Sequence, residues 1–431
     1  MNSKTLRTGL SLVLLAMTLA GCASYSGLNT EGVSLEAKNL KAGQSLSGVT
    51  LSPAAWPKSD WWKSLGDPQL DGLIREALHD SPDMQIADAR AHQASAAAYA
   101  ADAERMPTLD ASAGVSRSRL ARDQDPNGQG DAYSTVRNIS ANFNYNFDLW
   151  GGQRDAWEAA LGQARAAEVD QQAAQLTLAA DVARAYSDLG QAHIVHDLAS
   201  EDLKRTRQML DLSQRRLSSG IDSQYQFQQT ESLQASSEAS LIDAEKRLQS
   251  AKIALAVLLG KGPDRGNEIA RPKILQASAV ALPSVLPAEL LGRRPDLVAA
   301  RWRVEAASKN IDAGKTRFYP NLNLSAAAGA ESLLGDAMFG SASRFFNIAP
   351  TISVPIFDGG RLRADLDARD ADYDLAVAQY NKSLVKALGD VSDTINQLRD
   401  IGRQIGAQQH ATDIAQQSYD TVVQRYGSGI G

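Results

Sequence analysis

Several features that mark other classes of protein are scarce in this chain of 431 residues. It has one cysteine, Cys22, so no disulfide can form within the chain. After residue 21 there is no run of about 18 apolar residues, which excludes a membrane-spanning helix and leaves only alternating strands for any crossing. Lysine and arginine number 44 against 50 acidic residues, so the positive footprint of a nucleic-acid-binding protein is missing.

Cys22 stands at the end of a secretory signal. Lys4 and Arg7 provide the basic start, and residues 9–20 form an apolar stretch that is too short to span a membrane as a helix. The sequence Leu-Ala-Gly-Cys that ends at Cys22 is typical of a bacterial lipobox. It predicts removal of residues 1–21 and acylation of the cysteine, which would anchor the chain in lipid. The alternative is a buried thiol.

Proline is absent from residues 127–262 and from residues 356–431, so long helices can run through both stretches without a kink. A helix over residues 152–217 would be about 100 Å long. Small and apolar residues recur there at spacings of three and four, which predicts coiled-coil packing. Gly220 supplies the positive φ that a tight turn to a returning helix needs, and residues 61–80 predict a shorter amphipathic helix. The stripes contain Leu178, Val182, Ala185, Leu189, Ala192, His196, Ala199, Leu203, Thr206 and Leu210, then Leu241, Ala244, Leu248, Ala251, Leu255 and Leu258, and then Tyr373, Val377, Tyr380, Leu384, Ala387 and Val391.

Four segments show the period-two alternation of strands: residues 109–115, 139–147, 322–328 and 348–356. Runs of roughly ten residues suit tilted strands that cross a membrane, and a soluble sandwich with one solvated face is the alternative. A membrane barrel needs at least about eight strands, so the chain could not close one alone, whereas three copies would supply about twelve.

Landmarks in the chain occur twice at nearly one spacing. Phe-Asp followed by glycines begins at residues 147 and 357, and Pro-Asp begins at residues 82 and 295. The glycines suit the change of direction from strand to helix. A repeat of about 210 residues indicates a duplicated structural half. The second half stops where its returning helix would begin, so we expect it to be truncated and the chain to be a fragment. The chain is predicted to begin with a signal peptide (1–21) and an acylated N-terminal segment (22–60). A first repeat (61–262) follows, with a strand pair at about 108–148 and a hairpin at about 152–260. A linker (263–287) then leads to a second repeat (288–431), with a strand pair at about 321–357.

The sequence offers no recognisable catalytic or metal centre. His193 and His196 have the spacing of neighbours on one helix face, but no third ligand is evident nearby, so a structural role is favoured. No nucleophile motif, zinc-protease motif or phosphate-binding loop occurs. The sequence therefore predicts neither an enzyme nor a bound metal or cofactor.

Four motifs carry a resemblance to a known family. They are Trp-Trp with Asp-Pro-Gln-Leu at residues 61–70, Arg-Arg-Pro-Asp-Leu at 293–297, Ile-Phe-Asp-Gly-Gly-Arg at 356–361 and Arg-Leu-Ser-Ser-Gly-Ile at 216–221. Together they resemble the outer membrane factor (TolC-like) family, and within it the lipoprotein branch. Members of that branch are the outer membrane subunits of RND-type tripartite efflux pumps. The resemblance covers essentially the whole chain after the signal.

The resemblance implies an α+β membrane protein. A homotrimer would form a twelve-stranded outer-membrane β-barrel, with four strands from each chain, continued by a periplasmic α-barrel of long coiled-coil helices. It would be a passive duct that exports drugs, toxic compounds or metal ions from a Gram-negative cell. Its implied partners are a periplasmic adaptor (membrane fusion) protein, an inner-membrane RND-type transporter and outer-membrane lipid, with no nucleic acid. The alternatives are a trimeric coiled-coil surface or stalk lipoprotein without transport activity, and a periplasmic lipoprotein enzyme.

The resemblance also implies two kinds of site residue. Cys22 would carry the lipid, and Ala23 after it, in place of Asp, favours the outer membrane by resemblance to bacterial lipoproteins. The tips of the helical hairpins would contact the adaptor, and simple turn geometry is the alternative role for the tip residues. The residues assigned to this contact are Ser219, Gly220, Ile221, Gly429 and Ile430.

Overall fold

The protein, described here from a computed structural model, consists of long helices, one four-stranded sheet and one short parallel pair of strands, Leu51–Ser52 with Leu282–Pro283. The described residues are 24–36, 51–52, 60–119, 121, 133–273, 282–283, 293–333 and 337–427. The helices are α1 (Pro68–Asp80), α2 (Pro82–Ala103), α3 (Gly152–Ser218), α4 (Gln224–Leu258), α5 (Pro295–Thr316) and α6 (Arg361–Gly427). The strands are β1 (Leu51–Ser52), β2 (Thr108–Arg119), β3 (Tyr133–Phe147), β4 (Leu282–Pro283), β5 (Asn321–Leu333) and β6 (Arg344–Ser353). Short 3₁₀ segments cover Trp61–Leu65, Pro263–Glu268 and Ser341–Ser343.

The same order of elements occurs twice, as the duplicated landmarks predict. α2, β2, β3 and α3 follow one another in the first half, and α5, β5, β6 and α6 do so in the second. α2 and α5 each have 22 residues and begin at Pro82 and Pro295, whose fixed φ suits the first turn of a helix. α3 and α6 each have 67 residues, which confirms the long helix predicted from residue 152 onward.

By its contacts the chain divides into two compact units, and α2, α3 and α6 each contribute residues to both. Unit 1 consists of residues 1–36, 92–167 and 297–384, and it contains the four long strands. Unit 2 consists of residues 37–91, 168–296 and 385–431, and it contains α1, α4 and most of α3. Among the described helices, none has an apolar stretch of the length that a membrane span requires.

The four long strands form one antiparallel sheet in the order β2-β3-β5-β6. The pairing of β3 with β5, for example Ala141 with Ala328, joins the strand pairs of the two halves. The first pair ends at Phe147, close to its predicted end. β6 stops at Ser353, a few residues before the predicted end, because Pro355 has no N–H with which to extend the ladder.

The predicted apolar stripe of α3 lies against neighbouring helices in unit 2. Leu189 on α3, Leu70 on α1 and Leu255 on α4 are fully buried in one core cluster. Each leucine that leaves water in this way contributes about 1.5–3 kcal/mol. The buried members of the three predicted stripes are Leu178, Val182, Leu189, Leu203, Thr206, Ala244, Leu248, Leu255, Val377, Leu384 and Ala387.

Residues 61–80 do not form the single helix that the sequence predicts. Gly66 has a φ of +72° and ends the 3₁₀ segment Trp61–Leu65, and Asp67 then begins α1. The carboxylate of Asp67 accepts a hydrogen bond from Gln69 N at 2.8 Å, which is the geometry of a helix N-cap. The break follows because a glycine in the left-handed region stops one helix while an aspartate starts the next.

Residues 263–287 are predicted to be a linker, and the first part of this stretch, Pro263–Glu268, is packed into unit 2. Arg265 donates hydrogen bonds to both carboxylate oxygens of Glu76 on α1, at 3.0 and 2.9 Å. A Cβ on Gly266 would approach the carbonyl oxygen of Lys252 on α4 to 2.4 Å, so the backbone here lies directly on that helix. The segment Pro263–Glu268 therefore belongs to the packed structure of unit 2.

Candidate functional site

The hairpin tip, residues 219–222, is the turn that joins α3 to α4. α3 ends in a Schellman motif, in which Ile221 N donates to Arg216 O at 2.9 Å and Gly220 N donates to Leu217 O at 3.0 Å. Gly220 has a φ of +75°, a conformation that side chains other than glycine rarely adopt. The positive φ predicted at this position is therefore confirmed. It lets N–H groups of the turn donate hydrogen bonds to carbonyl oxygens at the end of α3, which have no partner inside the helix.

Side-chain contacts hold the tip from both helices. Asp222 accepts a hydrogen bond from Arg216 Nε at 2.9 Å and another from Ser213 Oγ at 3.4 Å. α4 begins with a capping box, in which Gln226 N donates to Ser223 Oγ at 3.3 Å and Ser223 N donates to Gln226 Oε1 at 2.8 Å. The backbone of the tip is thus held in one conformation by several independent contacts.

The outer surface of the tip is open and carries an apolar side chain. Ile221 is 64% exposed, although the residue at this position of a Schellman motif commonly packs back on its helix. Among the described residues, nothing beyond the chain neighbours of Gly220 lies within 4 Å of the place that a Cβ would take. Ser219 Oγ donates to Arg215 O at 2.9 Å, so this side chain belongs to the turn. An open turn with one exposed isoleucine offers a small, preformed contact surface.

The sheet in unit 1 has one apolar and one polar face. Across the four strands, Leu109, Phe143, Ala326 and Ile348 form one paired row. The adjacent row, on the opposite face, consists of Asp110, Asn142, Ala327 and Asn347. Large apolar side chains stay uncovered, since Leu109, Ile348 and Phe346 are 73%, 67% and 83% exposed. In the described part of the chain, β2 and β6 are the edges of the sheet and pair on one side only.

Asp148 and Asp358 occupy equivalent places at the two junctions from strand to long helix. Asp148 accepts a hydrogen bond from Arg154 N at 2.9 Å, and Asp358 accepts one from Leu362 N at 2.7 Å. These carboxylates bind N–H groups of the first helical turn, which have no partner inside the helix, and they complement the helix dipole. The hydrogen bond from Leu362 N is the largest cause that lowers the pKa of Asp358.

Sequence reasoning recognised these junctions as a repeated landmark but missed the role of the aspartates. Gly151 and Gly359 have φ values of +79° and +67°, so the change of direction at both junctions uses glycine as predicted. The available signal was an aspartate a few residues before each long proline-free stretch, which is a common pattern at helix starts.

Arg294, in the repeated Pro-Asp landmark, joins the start of α5 to α6 within unit 2. Its Nε donates to Asp296 Oδ1 at 2.8 Å, and its Nη2 donates to Asp390 Oδ2 at 2.8 Å. Burial disfavours the charged guanidinium, yet the hydrogen bonds with the two carboxylates together raise the pKa of Arg294. The motif therefore has a structural role as a clamp between two helices.

Residues 24–36 lie along α6 in unit 1. Arg363 donates to the carbonyl oxygen of Ser26 at 3.2 Å, and the backbone N–H of Gly32 donates to Asp374 at 2.6 Å. The contacts advance in the same direction along both segments, so this stretch runs parallel to α6. Of the predicted site residues, Cys22, Gly429 and Ile430 lie outside the described residues.

His193 and His196 both lie on α3. Over the parts of the chain that the structure describes, no three His, Cys, Asp or Glu side chains are placed to hold a metal ion together. Burial, and then the positive charge of Arg271, lowers the pKa of His193. The imidazole of His193 is therefore neutral at neutral pH.

Comparison with known proteins identifies the family of this chain. The sequence profile of the outer membrane efflux protein family matches residues 73–261 and 286–431, one segment in each half. The chain belongs to the outer membrane efflux protein family. The fusaric acid resistance protein FusA of Burkholderia cepacia is 36% identical over 381 residues, which cover 86% of this chain and 71% of the relative. The pyoverdine export outer membrane protein OpmQ of Pseudomonas aeruginosa is 31% identical over 427 residues, which cover 97% and 88%.

A solved structure of the same family has the same fold. The crystal structure of the outer membrane protein VceC of Vibrio cholerae matches with a TM-score of 0.80 at 33% identity, covering 87% of this chain and 90% of that one. The predicted resemblance to TolC-like channels is therefore confirmed, as is the α+β channel fold. Like other outer membrane efflux proteins, the chain is an efflux channel component of the outer membrane. Channels of this family are homotrimers that work with adaptor and inner-membrane pump proteins.

Proposed function

We propose that three copies of this chain form a passive duct for small molecules, with the sheet of unit 1 crossing the outer membrane. The observation that carries this proposal is the segregation of the sheet into two faces. Apolar side chains on four neighbouring strands suit contact with lipid, and the polar face suits a water-filled interior. The edges β2 and β6 need partners in lipid, because unpaired backbone groups are costly there. Three copies would supply them by pairing edge to edge.

A pair of neighbouring substitutions on opposite faces tests this proposal. A lysine on a lipid-facing position near the middle of a membrane costs about 2–4 kcal/mol, whereas a lysine that faces water costs little. We therefore expect Ile348→Lys to reduce the amount of trimer in the outer membrane and with it efflux, measured as drug accumulation in a host that lacks its own channel. Asn347→Lys, one residue away on the polar face, should insert normally. Equal insertion of the two variants would show that the apolar face does not meet lipid.

We also propose that the hairpin tip contacts a periplasmic adaptor protein, which would couple the duct to an inner-membrane RND-type transporter. The support is geometric. The tip is held by the Schellman motif, the capping box and Asp222, and its exposed surface carries Ile221. A preformed turn of this kind loses little conformational entropy on binding. By the duplication, Gly429 and Ile430 are assigned the same role in the second half.

Gly220→Trp tests the role of the tip, with Gly66→Trp as its matched control. Both glycines have a positive φ, +75° and +72°, and both have open space where a side chain would begin. The two variants should therefore suffer similar backbone strain. We expect Gly220→Trp to abolish adaptor crosslinking and pump-dependent efflux while trimer and membrane insertion remain. Gly66→Trp should keep all four properties. If Gly220→Trp crosslinks and exports like the wild type, residues 219–221 are not the docking surface.

A trimeric stalk without transport activity is the alternative function. It predicts the same sheet and the same helices but no duct. It would be supported if the wild-type protein, assembled in the outer membrane together with an adaptor and a transporter, left drug accumulation in the host unchanged.

A further inference from the structure

All four basic residues of the membrane sheet lie on its apolar face. They are Arg117 and Arg119 on β2, Arg137 on β3 and Arg344 on β6. The register shows this, because Arg137 pairs with Val115 and Arg344 pairs with Ala330. The acidic residues of the sheet, Asp110 and Glu331, lie on the polar face. Positive and negative charges are thus separated between the two faces.

These arginines also share one end of the sheet. On three of the four strands, the first position past the apolar run is an arginine: Arg117 follows Val115, Arg137 precedes Ile139, and Arg344 precedes Phe346. We refer to Arg117, Arg119, Arg137 and Arg344 as the arginine row. It lies at the end of the sheet where loops connect β2 to β3 and β5 to β6. At the other end, where α3 and α6 begin, the apolar face finishes with Leu109, Phe147, Leu322 and Ile352.

The height of the arginine row matches the far boundary of a lipid bilayer. Arg137 lies ten residues from Phe147 along β3, which is about 33 Å of extended strand. At a strand tilt of about 40°, that distance spans roughly 25 Å along the membrane normal, which is the usual height of the apolar band on such sheets. The arginines therefore begin where hydrocarbon ends and headgroups start.

Among the described residues, Arg117 and Arg344 are held by neutral groups that leave their charge in place. Arg117 and Arg119 lie over the ring of Tyr133, with their Cζ atoms 5.0 and 6.0 Å from its centroid. Tyr133 is itself 65% exposed. Arg344 donates to the carbonyl oxygen of Phe339 at 3.4 Å. The ring beside Arg117 and the carbonyl beside Arg344 are neutral partners, and a guanidinium stacked on a ring still presents its N–H groups at its edge.

We propose that the arginine row binds the phosphate groups of lipopolysaccharide, the phosphorylated glycolipid of the outer leaflet. Guanidinium groups bind phosphate through two parallel charge-assisted hydrogen bonds, which favours arginine over lysine for this task. Three copies of the row would surround the assembled channel at the level of the outer headgroups. The inference rests on the proposed crossing of the membrane by the sheet. It adds a specific lipid partner to the proposed function. It also explains why the arginines lie only at the end of the sheet where loops connect the strands.

The test compares two triple variants of the full chain purified from outer membranes in mild detergent. One combines Arg117→Gln, Arg119→Gln and Arg344→Gln, and leaves Arg137 in place because it donates to the carbonyl oxygen of Leu333 at 3.2 Å. The matched control removes the same charge from helices by combining Arg205→Gln, Arg215→Gln and Arg247→Gln, whose side chains are all well exposed. Lipopolysaccharide bound per protein is measured after purification and again after rebinding of the purified glycolipid.

We expect the sheet variant to bind lipopolysaccharide at least about tenfold more weakly than the wild type, since each cation near an anionic surface contributes measurably. The helix variant should bind like the wild type. Wild-type binding should fall at high salt and should be lost with dephosphorylated lipopolysaccharide. Three results would overturn the inference. The sheet variant could bind lipopolysaccharide as tightly as the wild type, or the wild type could bind native and dephosphorylated lipopolysaccharide equally well. The wild type could also bind phosphatidylglycerol in detergent micelles as tightly as lipopolysaccharide.

Membrane insertion separates this inference from the proposed function. If the sheet variant inserts and exports normally but keeps its lipopolysaccharide, the arginine row does not bind the phosphates, and the proposed function is unaffected. Normal insertion of Ile348→Lys refutes the placement of the sheet in lipid, and the inference falls with it. If the triple sheet variant does not assemble, the single variants Arg117→Gln and Arg344→Gln, at two exposed positions, replace it in the same comparison.

Discussion

At the scale of single residues, two glycines with the same backbone role differ in their surroundings. Gly220 and Gly260 each follow a long helix, and each donates the hydrogen bond of a Schellman motif, to Leu217 O and Val257 O. Their φ values are +75° and +69°. A Cβ on Gly220 would meet open space, whereas a Cβ on Gly260 would lie 2.5 Å from the carbonyl oxygen of Asp80. The first glycine is required by conformation alone and the second by conformation and packing.

Alanine at the two positions separates these requirements. Gly220→Ala should destabilise the protein by about 1–2 kcal/mol, the cost of a left-handed conformation with a Cβ. Gly260→Ala should cost about 1–3 kcal/mol more, because the backbone of Asp80 must move. Thermal unfolding of the purified variants, followed by circular dichroism at the helix band, measures both. Equal melting temperatures for the two variants would contradict the close approach at Gly260.

At the scale of elements, the long helices depend on caps that lie outside them. Asp358 binds the first turn of α6, and its pKa is lowered below the ordinary value, first of all by the hydrogen bond from Leu362 N. A lowered pKa in the folded state means that the carboxylate stabilises the protein above its unfolded pKa of 3.8. That contribution disappears as the pH falls through the lower folded value.

Asp358→Asn should therefore melt a few degrees below the wild type at about pH 7, and the gap should narrow as the pH approaches about 3. Asp413→Asn on the exposed part of α6 is the control, since Asp413 accepts, among the described residues, from the side chain of Gln409 alone, in the same helix. Its melting temperature should follow that of the wild type at every pH. A gap for Asp358→Asn that stays constant with pH would show that the charge of Asp358 does not stabilise α6.

The helix pairs also show how a short motif acts over a long sequence distance. Arg294 precedes α5 and reaches Asp390 on α6, almost one hundred residues later. The sequence marks Arg-Arg-Pro-Asp as a landmark because it is distinctive, but its chemistry is that of a partly buried ion pair with two carboxylates. The carboxylates of Asp296 and Asp390 stay 42% and 48% exposed, so each ion pair contributes only about 0–1 kcal/mol. The clamp therefore fixes where α5 starts relative to α6 more than it stabilises the fold.

At the scale of the whole molecule, the sheet edges predict the oligomeric state. β2 and β6 each have one partner strand among the described residues, and lipid offers no hydrogen bonds to the free edges. We expect mass measurement of the protein in detergent to give three chains. A stable monomer that retains its full strand content would contradict the closure of the sheet by neighbouring copies.

The lipid anchor at Cys22 also concerns the whole molecule, because it would attach the chain to the membrane. Residues 24–36 are held along α6 by Asp374 and Arg363. Arg363 also donates to the carbonyl oxygen of Ser24, so the chain is tied to unit 1 two residues after Cys22. We expect Cys22→Ala to lose palmitate labelling and to retain residues 1–21, because acylation and processing act on this cysteine. Continued incorporation of labelled palmitate into the variant would exclude Cys22 as the lipidated residue.

The local features of the molecule were largely predictable from the sequence. The alternation at 139–147 and the proline-free stretch from residue 152 each encode a backbone period, and such periods are set by neighbouring residues. Gly220 was predictable for the same reason, because the need for a positive φ is local. The duplication followed from landmarks alone. The broken helix at Gly66 shows the limit of this reasoning, since an apolar stripe can continue past a residue at which the helix stops.

Only the tertiary structure decided which surfaces meet. The pairing of β3 with β5 puts Phe143 beside Ala326 and so turns two strand pairs into one sheet with a single apolar face. A shift of one residue in that register would have mixed the two faces, and the alternation in each strand does not specify it. The same holds for the arginine row, for Arg294 with Asp390, and for residues 24–36 on α6. These contacts join segments far apart in the chain, and their energies depend on distances that no local pattern contains.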